Sequence, residues 1–131
     1  RFAAVAAKAV KETAYHAKLA SDWVIRLGDG TEESRRRMID GLEWMWRFTD
    51  ELFAMDGTDE AAIAAGVGVD KAALRRGWDE RVDATFAEAG LERPAPHRPV
   101  LGGRAGRHSE HLGHLLSEMQ FLQRAYPGAS W

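Results

Sequence analysis

The sequence predicts an all-α protein, and three observations support this prediction. Apolar and small residues recur at a spacing close to 3.6 along most of the 131 residues, which is the period of an α-helix. Gly and Pro fall in clusters that separate these periodic segments. No segment keeps apolar–polar alternation long enough to be a strand. We therefore expect a single helical domain over residues 1–131.

The first predicted helix runs from the start of the chain to a stop at Gly28. Its apolar or small residues recur from Phe2 and Val5 through Trp23 to Leu27. A helix of about 26 residues is ~39 Å long, which is typical of the helices in bundles. Many positions of this stripe are Ala, so a neighbouring helix can approach closely.

The second predicted helix follows the break at Gly28-Asp29-Gly30. Thr31 is a suitable N-cap, and Glu32 and Glu33 would lie in the first turn, where the helix dipole favours acidic groups. We expect this helix to continue to about Phe53. Its apolar stripe is predicted to contain Met38, Ile39, Leu42, Met45, Trp46, Thr49 and Phe53.

Two further helices are predicted before the next long break. A short one begins at Thr58 and ends at Ala65. After the break at 66–69, Asp70 caps a helix of about 19 residues that Gly90 closes. One face of this helix carries apolar residues spaced four apart: Leu74, Trp78, Val82 and Phe86.

The segment 91–107 contains three Pro and three Gly and shows little periodicity. Such a long irregular segment is uncommon inside a compact domain unless it wraps around something. A last helix is predicted from about Ser109 to Ala125, with Pro127-Gly128 ending it.

Composition excludes several classes of protein. The net charge of −2 creates no field that would attract nucleic acid or an anionic membrane. No apolar run approaches the ~20 residues of a membrane span. The absence of Cys excludes disulfides and thiolate chemistry and makes the cytoplasm the expected compartment. Five Trp indicate a thick core or an interface.

Glu12 and His16 form the first candidate metal site. In helical di-iron proteins, a carboxylate and an imidazole of a Glu-x-x-His pair reach one metal from the same helix. Here the spacing is four rather than three, with Tyr15 in between. The next long helix offers Asp40 and Glu43, and Glu43 is not three residues from a His. We favour a hydrogen-bonded Glu–His or Glu–Tyr pair buried in a helical core over a metal site.

His108, Glu110, His111 and His114 form the second candidate site. Two His residues three apart can ligate one metal from a helix face. The segment fits neither His-Glu-x-x-His nor the inverse of that motif. We favour the interpretation that this is a polar first turn of the last helix.

Basic and Gly-rich segments offer a third kind of site. The segment 102–107 resembles a phosphate-binding loop before a helix, but it lacks the Gly-Lys-Ser/Thr ending and follows no strand. We favour a basic arm that docks on a partner and leave contact with a phosphorylated ligand open. The runs Arg35-Arg36-Arg37 and Arg75-Arg76 are interpreted as solvated helix faces.

Several segments, in the same order along the chain, resemble one protein family. They are Lys11-Glu12-x-x-Tyr15-His16, Arg26-Leu27-Gly28-Asp29-Gly30-Thr31, Trp46-Arg47-Phe48-Thr49-Asp50-Glu51-Leu52-Phe53, Gly106-x-His108-x-Glu110-His111-Leu112-Gly113, Leu116-x-Glu118-Met119-Gln120-x-Leu122-Gln123-Arg124 and Pro127-Gly128-x-x-Trp131. The chain is identified by them as similar to the C subunits of bacterial phenylacetate-CoA oxygenases, which are also called phenylacetyl-CoA epoxidases.

The resemblance implies a ferritin-like helical bundle with extra C-terminal helices. In that family a multicomponent oxygenase epoxidises the aromatic ring of phenylacetyl-CoA during aerobic phenylacetate breakdown. Its A subunit holds the di-iron centre, and its C subunit lacks a working centre and pairs with A as a structural partner. The resemblance therefore implies no catalytic, cofactor-binding or metal-binding residue here. It implies a homo- or hetero-oligomer that includes the catalytic di-iron A subunit.

The family's subunits are longer than this chain, and the first residue here is Arg1 rather than Met. We therefore expect a C-terminal fragment of such a subunit, beginning inside the last helix of the bundle. Two alternatives remain open. One is a metal-binding oxygenase subunit whose other ligands lie in a missing N-terminal half. The other is a stand-alone helical interaction module. Contact with coenzyme A also stays open.

Overall fold

The computed structural model describes residues 2–95 and 98–130, and the regular elements in those ranges are all helical. This confirms the predicted all-α class. Arg1, at which the first helix was predicted to begin, and Trp131, the last residue of the family-like segments, lie outside the described residues. Residues 96–97 of the irregular segment lie outside them as well. In chain order the elements are α1 (Phe2–Gly28), α2 (Glu32–Met45), a first 3₁₀ helix (Trp46–Phe53), α3 (Gly57–Ala64), α4 (Lys71–Ala89), a second 3₁₀ helix (Gly103–Ala105), α5 (His111–Met119) and α6 (Phe121–Ala125).

Three predicted helix ends are confirmed by their capping groups. The Thr31 hydroxyl accepts a hydrogen bond from the Ser34 amide at 3.2 Å and caps α2. The Asp70 carboxylate accepts one from the Ala72 amide at 2.9 Å and caps α4. Gly90 ends α4 in the left-handed region, with a φ of 62°, which glycine adopts without a Cβ penalty.

The second helix differs from its prediction, because its α-helical part ends at Met45 rather than near Phe53. The chain continues over Trp46–Phe53 as a 3₁₀ helix. The Thr49 hydroxyl donates to the Trp46 carbonyl at 2.7 Å, three residues earlier, and this local bond competes with the α-helical ladder. The tighter winding changes which side chains of this segment face inward.

Two other boundaries also differ from prediction. The N-cap of α3 is Asp56 rather than Thr58, because Asp56 forms a capping box with Asp59. The predicted last helix begins at His111, two residues later than Ser109, and is interrupted at Gln120, a turn residue with a φ of −100° and a ψ of 0° between α5 and α6.

The core is small and lies where the C-terminal part of α1 meets α2 and α4. Phe86, Ala89 and Leu91 are its buried hydrophobic residues within the described chain. The helices approach closely at Gly28, where an added Cβ would lie 2.9 Å from Leu91 Cδ1 and 3.0 Å from Ala89 Cβ. The partly buried residues packed around this core are Val24, Ile25, Met38, Leu42, Trp46 and Val82.

Parts of α1, α5 and α6 lie outside this core. Residues 2–16 of α1 are all exposed, and Trp23, which is in the predicted apolar stripe, is 49% exposed. Met119 and Phe121, at the junction of α5 and α6, are exposed as well. None of the helices in the described ranges combines the length and apolar composition that a membrane span requires.

Candidate functional site

The first candidate metal site is not assembled in this structure. Glu12, Tyr15 and His16 are all exposed on the N-terminal part of α1. The expectation of a buried, hydrogen-bonded pair in the core is therefore wrong for this structure, because all three side chains are exposed. On α2, the Asp40 carboxylate accepts a hydrogen bond from Arg36 at 2.8 Å, and Glu43 is exposed.

The second candidate site is a polar turn, as we favoured. His108, Glu110, His111 and His114 are exposed, and Glu110 stands at the N-cap of α5 without a side-chain hydrogen bond to the helix. Within residues 2–95 and 98–130, no group of three or more His, Asp or Glu side chains is placed to hold one metal ion.

The Gly-rich segment binds a carboxylate of its own chain. Glu51, on the first 3₁₀ helix, accepts hydrogen bonds from the amides of Gly102 at 2.7 Å and Gly103 at 2.6 Å. Gly102 has a φ of 106°, a conformation that favours glycine and turns both amides toward one anion. The Gly102 amide is the main reason why the pKa of Glu51 is lowered. The predicted arm therefore docks intramolecularly, and its amides hold Glu51 instead of a phosphate.

Arg104 ties the same segment to the start of α3. Its guanidinium contacts Asp59 at 2.5 Å and Asp56 at 3.1 Å. Lys71, at the start of α4, also donates to Asp59, at 2.9 Å. These hydrogen bonds, the one from Lys71 first, lower the pKa of Asp59 to about 2. The Asp59 carboxylate thus joins α3, α4 and the Gly-rich segment.

Four aromatic rings line the contact between the first 3₁₀ helix and α4. The centroid of Trp46 lies 5.8 Å from that of Phe86 and 5.7 Å from that of Trp78. Phe53 meets Trp78 edge-on at 5.5 Å. Such tilted and edge-on pairs are the favoured arrangements of aromatic rings. This aromatic cluster, formed by Trp46, Phe53, Trp78 and Phe86, extends the core toward the C-terminal segment.

Two arginines cover the aromatic cluster. Arg75 lies 5.0 Å from the centroid of Phe53 and binds Asp50 and Asp79. Arg93 lies 5.5 Å from the centroid of Trp46 and binds Asp79 at 2.8 Å. The hydrogen bond from Arg93 is the largest reason why the pKa of Asp79 is lowered. The interpretation of Arg75 as part of a solvated face is therefore wrong, although its neighbour Arg76 is 91% exposed on its side chain.

Arg35 also does more than the sequence predicted. Its guanidinium donates to the carbonyl of Gly28 at 3.0 Å and to that of Gly90 at 2.5 Å, so it joins the C-terminal ends of α1 and α4. A cation is favourable there because the last carbonyls of a helix carry partial negative charge. Arg36 and Arg37 instead pair with Glu33 on the exposed face of α2, as predicted.

Sequence patterns gave no sign of the roles of Glu51 and Arg93. Glu51 is 51 residues from the Gly102 amide that it binds, and Arg93 is 14 residues from Asp79. Neither pair belongs to a motif with a fixed spacing, so periodicity along one helix could not reveal them.

Comparison with known proteins identifies the family. The whole chain, residues 1–131, matches the family described as phenylacetic acid catabolic protein. It is 44% identical over 131 residues to the C subunit of 1,2-phenylacetyl-CoA epoxidase from Escherichia coli (strain K12), and it spans 53% of the length of that relative. The all-helical architecture agrees with the ferritin-like fold that the family implies. The chain belongs to the phenylacetic acid catabolic protein family.

Proposed function

We propose that the chain is part of a non-catalytic, structural subunit of a multicomponent di-iron oxygenase that epoxidises phenylacetyl-CoA. The observation that carries this proposal is the 44% identity to the C subunit of a phenylacetyl-CoA epoxidase over the full chain. The chain spans 53% of the length of that relative, and we propose that it corresponds to the C-terminal half of the subunit. The complex would act in the cytoplasm, in keeping with a sequence that contains no Cys.

The placement of the acidic groups supports a structural role. A general acid or base works best when its pKa lies near the working pH. Hydrogen bonds from amides or cations instead lower the pKa values of Glu51, Asp59 and Asp79, which moves them further below neutral pH. These three carboxylates stay ionised at neutral pH and join separate elements of the fold. They are suited to holding the chain together rather than to transferring protons.

The apolar surface supports association with other protein. Phe2 and Val5 on α1 and Phe121 on α6 are each at least 66% exposed. Permanent assemblies commonly bury more than about 2,000 Å², and their interfaces resemble a divided core. Exposed apolar helix faces of this kind are the surfaces that such an interface, or further helices of the same subunit, would cover.

The proposal is tested with the full-length subunit and the catalytic di-iron subunit. We expect the two subunits to co-purify. When each subunit is purified alone and analysed for metals, we expect iron in the catalytic subunit and not in this one. Glu12→Gln and His16→Gln should leave epoxidase activity of the complex within about twofold of the wild type, because neither residue would hold iron. Glu32→Gln, an exposed change on α2, is the matched control.

Three results would contradict the proposal. Stoichiometric iron in this subunit purified alone would favour the metal-binding alternative. The same conclusion would follow if Glu12→Gln abolished activity while the complex stayed assembled. Failure of the full-length subunit to associate with any di-iron partner would favour the stand-alone helical module.

A further inference from the structure

The last part of the chain, residues 98–130, is here called the C-terminal strap, and little of it is covered by the rest of the protein. None of its residues is buried, and Leu115, Met119 and Phe121 are each at least 55% exposed. The buried core lies instead among α1, α2 and α4. Because burial of apolar surface is the dominant favourable term in folding, the strap gains little stability of this kind.

The two helices of the strap have no polar connection to the preceding helices in the described ranges. No hydrogen bond or ion pair joins residues 109–130 to residues 2–95 there. A groove of about 430 Å³ separates Trp44 and Met45, at the end of α2, from the start of α5. The helices α5 and α6 therefore lie beside the body formed by α1–α4 without a specific polar contact.

The bonds that do hold the strap lie in one short stretch around Gly102. The amides of Gly102 and Gly103 donate to the Glu51 carboxylate at 2.7 and 2.6 Å. The Val100 amide donates to the carbonyl of Arg47 at 2.8 Å. Both acceptors belong to the first 3₁₀ helix, so this stretch of the strap is fixed to that one element of the body.

Arg104 completes the attachment. Its guanidinium pairs with Asp56 at 3.1 Å and with Asp59 at 2.5 Å, both at the start of α3. When polar bonds of this kind break, their groups form new bonds with water, so each bond adds only modestly to stability. The bonds of Glu51 and Arg104, together called the latch, can therefore open without disturbing the apolar core.

We propose that the strap opens away from the body as one unit while α1–α4 stay folded, and that the latch keeps it closed. Regions with few buried apolar contacts open at free energies below that of global unfolding. Opening frees the amides of Gly102 and Gly103 and moves the exposed apolar residues of α5 and α6 away from the body. This conformational device is a property of the chain alone and does not depend on the proposed function.

The test is hydrogen–deuterium exchange of the full-length subunit, measured by mass spectrometry on peptides from α4 and from α5. A nine-residue helix such as α5 is marginal by itself in water, so its amides exchange whenever the strap opens. We expect the α5 amides to be protected, but to exchange at least about tenfold faster than those in the middle of α4.

Two results with the wild-type subunit would overturn the proposal. Equal protection of α4 and α5 would show that the strap opens only with global unfolding. Exchange of the α5 amides at the rate of an unstructured peptide would show that no latch holds the strap closed.

The double variant Glu51→Ala with Arg104→Ala removes the latch. It should speed exchange of the α5 amides by roughly another tenfold, and leave the α4 amides within about twofold of the wild type. Because α5 begins beyond both changes, its response shows whether the strap moves as one unit. Faster exchange confined to residues 100–104 would contradict the proposal.

The matched control is Glu60→Ala with Arg98→Ala. It also removes one Glu from the body and one Arg from the strap, but both side chains are exposed and make no ion pair within the described part of the chain. Exchange of both helices should stay within about twofold of the wild type. Equal acceleration of α5 by the two double variants would assign the effect to net charge and overturn the latch.

Circular dichroism and the α4 peptides show whether the body of each variant is folded. If the double latch variant unfolds, Arg104→Ala alone provides the test, because that side chain is 45% exposed. It should speed exchange of α5 about threefold, and an unchanged α5 rate in the folded variant would overturn the proposal. None of these measurements uses the oxygenase, so their failure leaves the proposed function standing.

Discussion

Arg35 shows at the scale of one residue how two helix ends are fixed together. α1 and α4 end side by side, and each leaves backbone carbonyls without partners inside its own helix. One guanidinium serves both ends, through the carbonyls of Gly28 and Gly90. The charge on the arginine also offsets the negative ends of both helix dipoles.

We therefore expect Arg35→Ala to lower the free energy of unfolding by about 1.5–3 kcal/mol, the range for losing hydrogen bonds to a charged group. Arg37→Ala is the matched control, because Arg37 belongs to the same run and its side chain is 75% exposed in a pair with Glu33. Its effect should stay below about 0.5 kcal/mol. Urea denaturation followed by circular dichroism measures both. Equal effects of the two changes would show that Arg35 does not join the helix ends.

Asp59 makes the stability of the fold depend on pH in the acidic range. Its folded-state pKa of about 2 lies below its ordinary value of 3.8, because Lys71 and Arg104 hold the carboxylate in its ionised form. A depressed carboxylate pKa stabilises the fold fully above the unfolded-state value and loses this effect as pH falls through the folded-state value. The contribution of Asp59 should therefore be present at pH 5 and decline between about pH 4 and pH 2.

Asp59→Asn should reduce stability at neutral pH and flatten this decline, since an amide does not titrate. The urea midpoint measured at intervals from pH 6 to pH 2 gives both slopes. Asp40→Asn is the control, because the Asp40 side chain is 61% exposed and its one ion-pair partner among the described residues is Arg36. An unchanged pH slope in Asp59→Asn would assign the acid sensitivity to other carboxylates.

At the scale of the element, helix ends that depend on one turn of sequence were predictable. Thr31 and Asp70 accept hydrogen bonds from amides two or three residues later, so their effect is fully local. The start of α3 was misplaced because Asp56 and Thr58 are both good caps. Asp56 is favoured by its reciprocal bonds with Asp59. A choice between two nearby caps depends on such pairings, which residue preference alone does not resolve.

The first 3₁₀ helix was not predictable from periodicity. The apolar stripe of α2 continues through Trp46 and Phe53 at helical spacing, so the pattern indicated one helix. The change in winding brings Trp46 and Phe53 onto Trp78 of α4, which is 32 residues after Trp46. Tertiary packing of this kind overrides local helix propensity, and it cannot be predicted from the residues of one segment.

The aromatic cluster gives a prediction for this element. Trp46→Ala in the 131-residue chain should lower the free energy of unfolding by about 3 kcal/mol, because it removes ring contacts with both Trp78 and Phe86. Trp23→Ala, the matched change on α1, should lower it by less than about 1 kcal/mol, because half of that side chain is exposed and its main ring contact is with Arg26. Chemical denaturation compares the two. A larger loss of unfolding free energy for Trp23→Ala than for Trp46→Ala would show that Trp23 packs in the core.

At the scale of the whole molecule, the sequence predicted apolar helix faces but not which of them the chain covers itself. Trp23 and Trp46 both fall on predicted stripes, yet only Trp46 lies in the aromatic cluster. The candidate site shows the same limit. Glu12 and His16 were identifiable by spacing, but their exposure depends on how α1 packs, and the α1 residues packed against the core, Val24 and Ile25, lie near its C-terminal end.

The exposed face of α1 should make the 131-residue chain associate in solution. Val5, Leu19 and Trp23 are separated by multiples of about 3.6 residues, so they share one side of the helix, and each is at least 49% exposed. Large exposed apolar side chains on one side of a helix favour self-association or binding to other protein. Sedimentation velocity between low and high micromolar concentration should therefore show an increasing sedimentation coefficient.

The double change Val5→Lys with Leu19→Lys should suppress this association, because it places two charges on the apolar face. Ala7→Lys with Ala14→Lys adds the same charge on the opposite side of α1, where both residues are exposed, and should leave association unchanged. Equal suppression by both pairs would show that net charge, and not the apolar face, controls association. If both double variants associate as strongly as the wild type, the surface that associates is instead that of α5 and α6, where Met119 and Phe121 are each 66% exposed.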